Sequence, residues 1–250
     1  RRLSPAVSLS WRPFSESTLR IRASYKDIFR VPTFTDLYYL RMGNTNLKPE
    51  ETSQYNVGVT WSSSCGDWLR HFSISADGYY NTVKDKIVAL PTMYVWKMMN
   101  MGEVDIKGVD VNLSTQFRLP LRMSLFLAST YSFQYAVDVT DPEAKNYKDQ
   151  IPYTPRHSGT VSVTLENPWV NVSYILTAVG DRYALPQNID RNRIDSYIEQ
   201  SISINRDFRF RYFGLRLQGE LLNLANVNYD VIQYYPMPGR SWRLSVCLSY

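Results

Sequence analysis

With 250 residues, 44% of them hydrophobic and 14% aromatic, the chain fits neither a disordered segment nor a collagen-like repeat. Its formal charge of +5 at pH 7 is modest, and its Lys and Arg residues are scattered along alternating segments rather than clustered, so no nucleic-acid partner is expected. A mean hydropathy of -0.32 suits a soluble protein, but it equally suits a barrel wall in which every second residue faces water.

In chain order, Val7, Leu9 and Trp11 alternate with Ser8, Ser10 and Arg12, which predicts a first strand over 6–12. A second strand sets Leu19, Ile21, Ala23 and Tyr25 against Arg20, Arg22, Ser24 and Lys26. So many cations on one face are hard to bury in a sandwich core, yet they suit a wet lumen. Strand three carries Tyr55, Val57, Val59 and Trp61, and strand four Phe72, Ile74, Ala76, Gly78 and Tyr80, extending to Ile87 and Val88. Strand five alternates Val109, Val111 and Leu113 with Asp110, Asn112 and Ser114, and strand six runs from Leu121 to Phe133. Strands seven (Val161, Val163, Leu165), eight (Val170, Val172, Tyr174, Leu176), nine (Ile198, Ile202, Ile204) and ten (Phe213, Leu215, Leu217, Leu221) follow.

The last stretch is the most regular: Trp242, Leu244, Val246, Leu248 and Tyr250 on one face, Ser241, Arg243, Ser245, Cys247 and Ser249 on the other. Aromatic residues at both ends of an apolar face, with aliphatics between, are what a lipid-facing strand of an outer-membrane barrel presents. About eleven strands result, with no helical segment between them.

The connections alternate. Short turns (13–17, 64–68, 119–120, 167–168, 207–211) separate long loops (28–52, 91–100, 139–154, 183–193, 226–239) throughout. Outer-membrane barrels place short turns at the periplasmic end and long loops outside, where ligands and partners are met. No run approaches the ~18 consecutive apolar residues of a membrane helix. Arg1-Arg2-Leu3-Ser4-Pro5 has no apolar leader core, so either a leader has been removed or the chain starts partway through a longer protein.

The stretch Phe29-Arg30-Val31-Pro32-Thr33-Phe34-Thr35-Asp36-Leu37-Tyr38-Tyr39, followed by Gly43-Asn44-Thr45-Asn46-Leu47-Lys48-Pro49-Glu50, resembles a signature of TonB-dependent outer-membrane receptors. Tyr79 to Ile87, Gly108-Val109-Asp110, Leu222-Asn223-Leu224-Ala225-Asn226 and Pro236 to Trp242 resemble further family motifs, in family order. The implied fold is all-β, a transmembrane antiparallel barrel of about 22 strands closed around a separate N-terminal plug domain. Residues 1–250 are then expected to be the C-terminal half of that barrel, with the plug and the remaining strands absent from this chain. Arg30, Asp36 and Glu50 are expected to form ion pairs at the rim, and Tyr250 resembles the terminal aromatic of a barrel-assembly signal.

The resemblance implies a receptor in the outer membrane of a Gram-negative bacterium. It would import a scarce nutrient, a ferric siderophore or a cobalamin-like metal chelate, by TonB-driven active uptake. Its implied partners are the plug and remaining strands of the same receptor, the TonB complex reached through the plug, membrane lipid and the chelate. A passive porin, an adhesin barrel, or a glycan importer of the same family are the alternatives. The haem branch uses loop histidines, whereas His71 and His157 lie near strand starts, so haem is not expected.

No catalytic motif is present: H-E-x-x-H, G-x-S-x-G and a phosphate-cradling Gly loop are all missing, and no resident cofactor or metal site is expected. Cys65 and Cys247 have no Cys or His partner at ligand spacing and are read as free thiols. Tyr94 and Trp96 in loop 91–100 and Tyr234 and Tyr235 in loop 226–239 are the candidate ligand contacts, because aromatic clusters in outer loops can grip a bulky organic ligand. The lumen-facing Arg20, Arg22, Arg216 and Arg243 are the next candidates.

Overall fold

Strand β1 (Ala6–Trp11) runs antiparallel to β2 (Arg20–Arg30), with Val7 opposite Tyr25, Leu9 opposite Ala23 and Trp11 opposite Ile21. The apolar faces of neighbouring strands therefore coincide. A computed structural model describes residues 3–14 and 18–249, and in it the same rule continues through β3 (Glu50–Cys65), β4 (Leu69–Pro91), β5 (Trp96–Leu119), β6 (Met123–Asp138) and β7 (His157–Glu166). It continues further through β8 (Asn171–Val179), β9 (Tyr197–Arg209), β10 (Gly214–Leu222) and β11 (Ser241–Ser249). Each strand pairs only with its sequence neighbours, giving one 11-stranded antiparallel meander with β1 and β11 as its edges. The eleven expected strands are thus found in the expected order.

One face is apolar and open. Trp242, Leu244, Val246 and Leu248 of β11 are 60–79% exposed, and Leu9, Val57, Val109 and Leu217 lie on the same side of their strands. An apolar surface spanning a whole sheet is not stable against water, but it is the natural outer wall of a barrel in lipid. The other face is polar and laced with ion pairs. Arg22 Nη2 donates to Asp77 Oδ1 at 2.8 Å, Arg216 forks onto Asp207 at 2.6 and 2.9 Å, and Arg243 Nε donates to Glu220 Oε2. Charges of both signs on one face fit a hydrated interior.

The buried core lies beyond the membrane-spanning part. Strands β4 and β5, with 23 and 24 residues, far exceed the roughly 9–11 needed to cross a bilayer. Their outer halves, with the end of β6, bury Val83, Met101, Val104, Ile106 and Ala136 against Ile151. The segment after β6 folds back to close this cluster: Ile151 N donates to Ala136 O and Asp138 N to Asp149 O, both at 3.0 Å. Val104 is fully enclosed, and its burial contributes about 1.5–3 kcal/mol.

Several expected boundaries shift. The connection expected over 28–52 shortens to 31–49, because Asp27, Ile28, Phe29 and Arg30 pair with Ser53, Thr52, Glu51 and Glu50. It also contains a helix, α1 (Phe34–Tyr38), where none was expected. The loop expected over 91–100 contracts to a turn at 92–95. Lys97, Met98, Met99 and Asn100 pair with Leu90, Ala89, Val88 and Ile87, and Thr92 N and Oγ1 both donate to Val95 O, at 2.8 and 2.5 Å. Within the loops expected over 183–193 and 226–239 there are small hairpins, Arg182–Tyr183 with Arg193–Ile194 and Asp230–Ile232 with Tyr235–Pro236. The turn expected at 207–211 lies at 210–213, closed by Phe210 N donating to Phe213 O at 2.9 Å. Part of the 13–17 turn, and Tyr250, lie outside the described residues.

Candidate functional site

The outer end of the sheet carries two constructions. The first is a rim node built on the 29–50 motif. Thr33 caps α1 by accepting from Asp36 N at 3.2 Å, while Asp36 Oδ2 accepts from Thr33 N at 2.9 Å, a reciprocal capping box. Arg30 at the end of β2 reaches Asp36 at 3.1 Å and Glu50 at 3.5 Å, so the expected rim ion pairs are present. Burial alone would raise the Asp36 carboxyl, but the Thr33 backbone and hydroxyl bonds and the Arg30 guanidinium outweigh it and hold the group below its ordinary value. The helix and both flanking strands are thereby tied at one point. Met98 N donates to Met42 O at 2.9 Å, and Asn44 Nδ2 to Met98 O at 3.0 Å, which moors the rest of the loop on β5.

The second is a cleft of about 540 Å³ beneath the loops. Val88, Leu90 and Trp96 of the β4–β5 extension form one wall, Ile151 to Tyr153 another, and Arg182, Tyr197, Val231 and Ile232 the far side. Tyr197 shares the face of Glu199 and Ser201, which is the polar, lumen side of β9. The Trp96 and Tyr153 rings lie 5.7 Å apart, and Tyr197 stacks on Tyr229 at 4.1 Å.

Among the described residues of this lining Arg182 is the only cation, and it is 4% exposed. Its Nη2 donates to the Asp230 and Val231 carbonyls, its guanidinium lies 5.5 Å from the Tyr197 ring centre, and its Nη1 has no acceptor among the described residues. Burial pushes the Tyr153 hydroxyl up, against the opposing influence of a backbone bond at Gln233 and of Arg182. The Tyr229 hydroxyl is likewise raised by burial, with Glu199 adding to it. Aromatic walls with one buried cation can hold a bulky organic group and complement an acceptor or anion on it.

Of the four candidate contacts, Trp96 lines this cleft. Tyr94 stands at the tip of the β4–β5 turn, 91% exposed; in the 230–236 hairpin Tyr234 lies in the turn, 79% exposed, and Tyr235 begins the second strand opposite Ile232, 67% exposed. That hairpin lends Val231 and Ile232 to the cleft instead. Tyr153, Arg182 and Tyr197 were not singled out by sequence. A tyrosine between two prolines, in Pro152-Tyr153-Thr154-Pro155, was the available hint for the first. Arg22, Arg216 and Arg243 are already paired with carboxylates, and Arg20 has no ion pair among the described residues. His157 Nδ1 lies 2.8 Å from the Tyr131 hydroxyl, on the face of Phe133 rather than in the cleft. Cys247 is free and exposed.

Residues 1–224 match the family model described as TonB dependent receptor-like, beta-barrel. The vitamin B12 transporter BtuB of Photobacterium profundum is 25% identical over 236 residues, covering 90% of this chain and 34% of that protein. BtuB of Vibrio vulnificus is 25% identical over 225 residues, covering 87% and 33%. The chain thus spans about a third of the length of these relatives. Among solved structures, the copper transporter OprC superposes with a TM-score of 0.73 at 17% identity, over 98% of this chain and 38% of that one. The ferric preacinetobactin receptor BauA of Acinetobacter baumannii gives 0.71 at 14%, over 98% and 36%. The fold, the motif order and the family match agree: this chain belongs to the TonB-dependent receptor β-barrel family.

Proposed function

We propose that this chain is the C-terminal half of the barrel of an outer-membrane receptor that captures a scarce metal chelate and imports it by TonB-driven uptake. Its eleven strands supply half of a barrel of about 22, and the plug and remaining strands would complete it. The two edge strands support this reading, since an open edge in lipid leaves unpaired backbone groups that each cost several kcal/mol.

The observation that carries the ligand assignment is the aromatic cleft at the lumen side of the outer end, with Trp96, Tyr153 and Tyr197 in its walls and Arg182 at its far side. Such a lining suits a large, partly apolar chelate bearing acceptor groups, as a ferric siderophore or a corrinoid does. Tyr94, Tyr234 and Tyr235, exposed above it, would make the first contacts and Trp96 the later one.

The test is binding of cobalamin and of a panel of ferric siderophores to the whole receptor, with Tyr94, Trp96, Tyr234 and Tyr235 replaced singly by Ala. At least one chelate should bind, and Trp96→Ala should weaken it by about tenfold, equivalent to ~1.4 kcal/mol, with the barrel intact. No binding of any chelate, or normal binding by all four variants, would remove the cleft as the site.

A further inference from the structure

We propose that Lys107 and Arg156 form a phosphate clamp for anionic lipid in the outer leaflet, on the outside of the barrel wall. The inference rests on the outer-membrane reading of the sheet and concerns the face opposite the ligand cleft. On β6 the apolar face runs Leu125, Leu127, Ser129, Tyr131, Phe133, Tyr135, paired with Phe117, Thr115, Leu113, Val111, Val109 and Lys107 of β5. From Leu125 to Tyr135 is about 34 Å of strand, or roughly 26 Å of height once tilted by about 40°, which matches the apolar band of a barrel. Tyr135 therefore sits at the outer edge of the hydrocarbon, where the headgroups begin.

At that level two cations converge on one ring. Lys107 Nζ, from β5, lies 5.1 Å from the Tyr135 centroid, and the Arg156 guanidinium, just before β7, lies 5.2 Å from it. The position of Arg156 is fixed by its backbone, whose carbonyl accepts from Gln134 N at 2.9 Å. Both cations are exposed, and among the described residues neither has a carboxylate within ion-pair distance. Asp105, two residues further out on the same face of β5, is engaged by Thr82 Oγ1 at 3.3 Å.

Each cation is attracted to the tyrosine face but repelled by the other, so the arrangement lacks an anion. A lipid phosphate at headgroup height supplies one. The Lys offers a point charge and the Arg a planar fork, both held at the Tyr135 ring.

The whole receptor is reconstituted in vesicles of phosphatidylcholine doped with fluorescent lipid A, and energy transfer from protein to lipid is measured while unlabelled lipids compete. Lipid A bearing its phosphates should compete about five- to tenfold better than its dephosphorylated form. Lys107→Gln/Arg156→Gln should erase that preference, and Lys107→Arg should keep it. If the double variant assembles poorly, Lys107→Gln alone should still lower the preference at least twofold. An unchanged preference in the variants, equal competition by dephosphorylated lipid, or full displacement by inorganic phosphate would each overturn the assignment. Protease protection in the same vesicles reports separately on insertion, so a failure of the barrel reading is distinguishable from a failure of the clamp.

Discussion

Arg30, the last residue of β2, donates from Nη2 to Asp36 Oδ2 at 3.1 Å, and that same oxygen accepts the Thr33 backbone N–H that opens α1. One carboxylate therefore holds both the helix start and the strand end. Replacing it by Asn should loosen the 31–49 loop at neutral pH by about 1 kcal/mol, read as roughly fivefold faster proteolysis within that loop. Because the folded carboxyl is held below its ordinary value of 3.8, its contribution is complete above that pH and is lost as pH falls through the folded value. The wild type and Asp36→Asn should thus converge in strongly acidic buffer. A difference that persists there would show that shape, not charge, holds the node.

Gly108 and Gly219 look alike in sequence but not in space. A Cβ on Gly108 would meet the Phe133 carbonyl oxygen and the Tyr79 ring closer than 3.0 Å, whereas a Cβ on Gly219 would meet nothing within 4 Å. Gly108→Ala should cost about 2 kcal/mol of barrel stability, and Gly219→Ala less than about 0.5 kcal/mol. Urea midpoints of the whole receptor in micelles would measure both, and equal effects would contradict the packing described.

The turn between β5 and β6 places Leu121 and Arg122 at φ 59° each, closed by Met123 N donating to Pro120 O at 3.3 Å. Three residues, 120–122, connect the closing pair Leu119 and Met123; positive φ at 121 and 122 favours Asn and Gly, and Leu in the left-handed region costs about 1 kcal/mol. Exchanging Leu121-Arg122 for Asn-Gly should raise the thermal midpoint. A lower midpoint would mean that the Leu121 side chain has a binding role at the membrane surface that outweighs its backbone strain.

Orientation is open to direct labelling. In a background with Cys65 and Cys247 replaced by Ser, a cysteine at Lys145 should react with an impermeant reagent on intact cells, and one at Asp67 should not. Both positions are exposed, so accessibility across the membrane decides the outcome. The reverse pattern would invert the topology.

The number, order and facing of the strands were legible because lipid on one side and water on the other impose a period of 2, as in Trp242, Leu244, Val246 and Leu248. Where the sheet rises above the membrane that contrast is lost. Lys97 to Asn100 are strand residues, yet Met98 and Met99 sit side by side and hide the alternation. The helix Phe34–Tyr38 was signalled by Thr33-x-x-Asp36, a capping pattern, but five residues are too few to show helical periodicity. The aromatic content of the outer loops drew attention to Trp96, which lines the cleft, and to three tyrosines that stand outside it. Nothing local marks Arg182 as buried, because its enclosure depends on the hairpin at 230–236, some fifty residues away.

Energy dependence of import tests the functional reading most directly. Cells carrying the whole receptor would be given radiolabelled chelate with TonB present, with TonB deleted, and with the proton gradient collapsed by an uncoupler. Surface binding should be unchanged in all three states, while accumulation should fall at least tenfold when TonB or the gradient is lost. Accumulation that continues undiminished without either would mark the barrel as a passive pore and contradict active uptake.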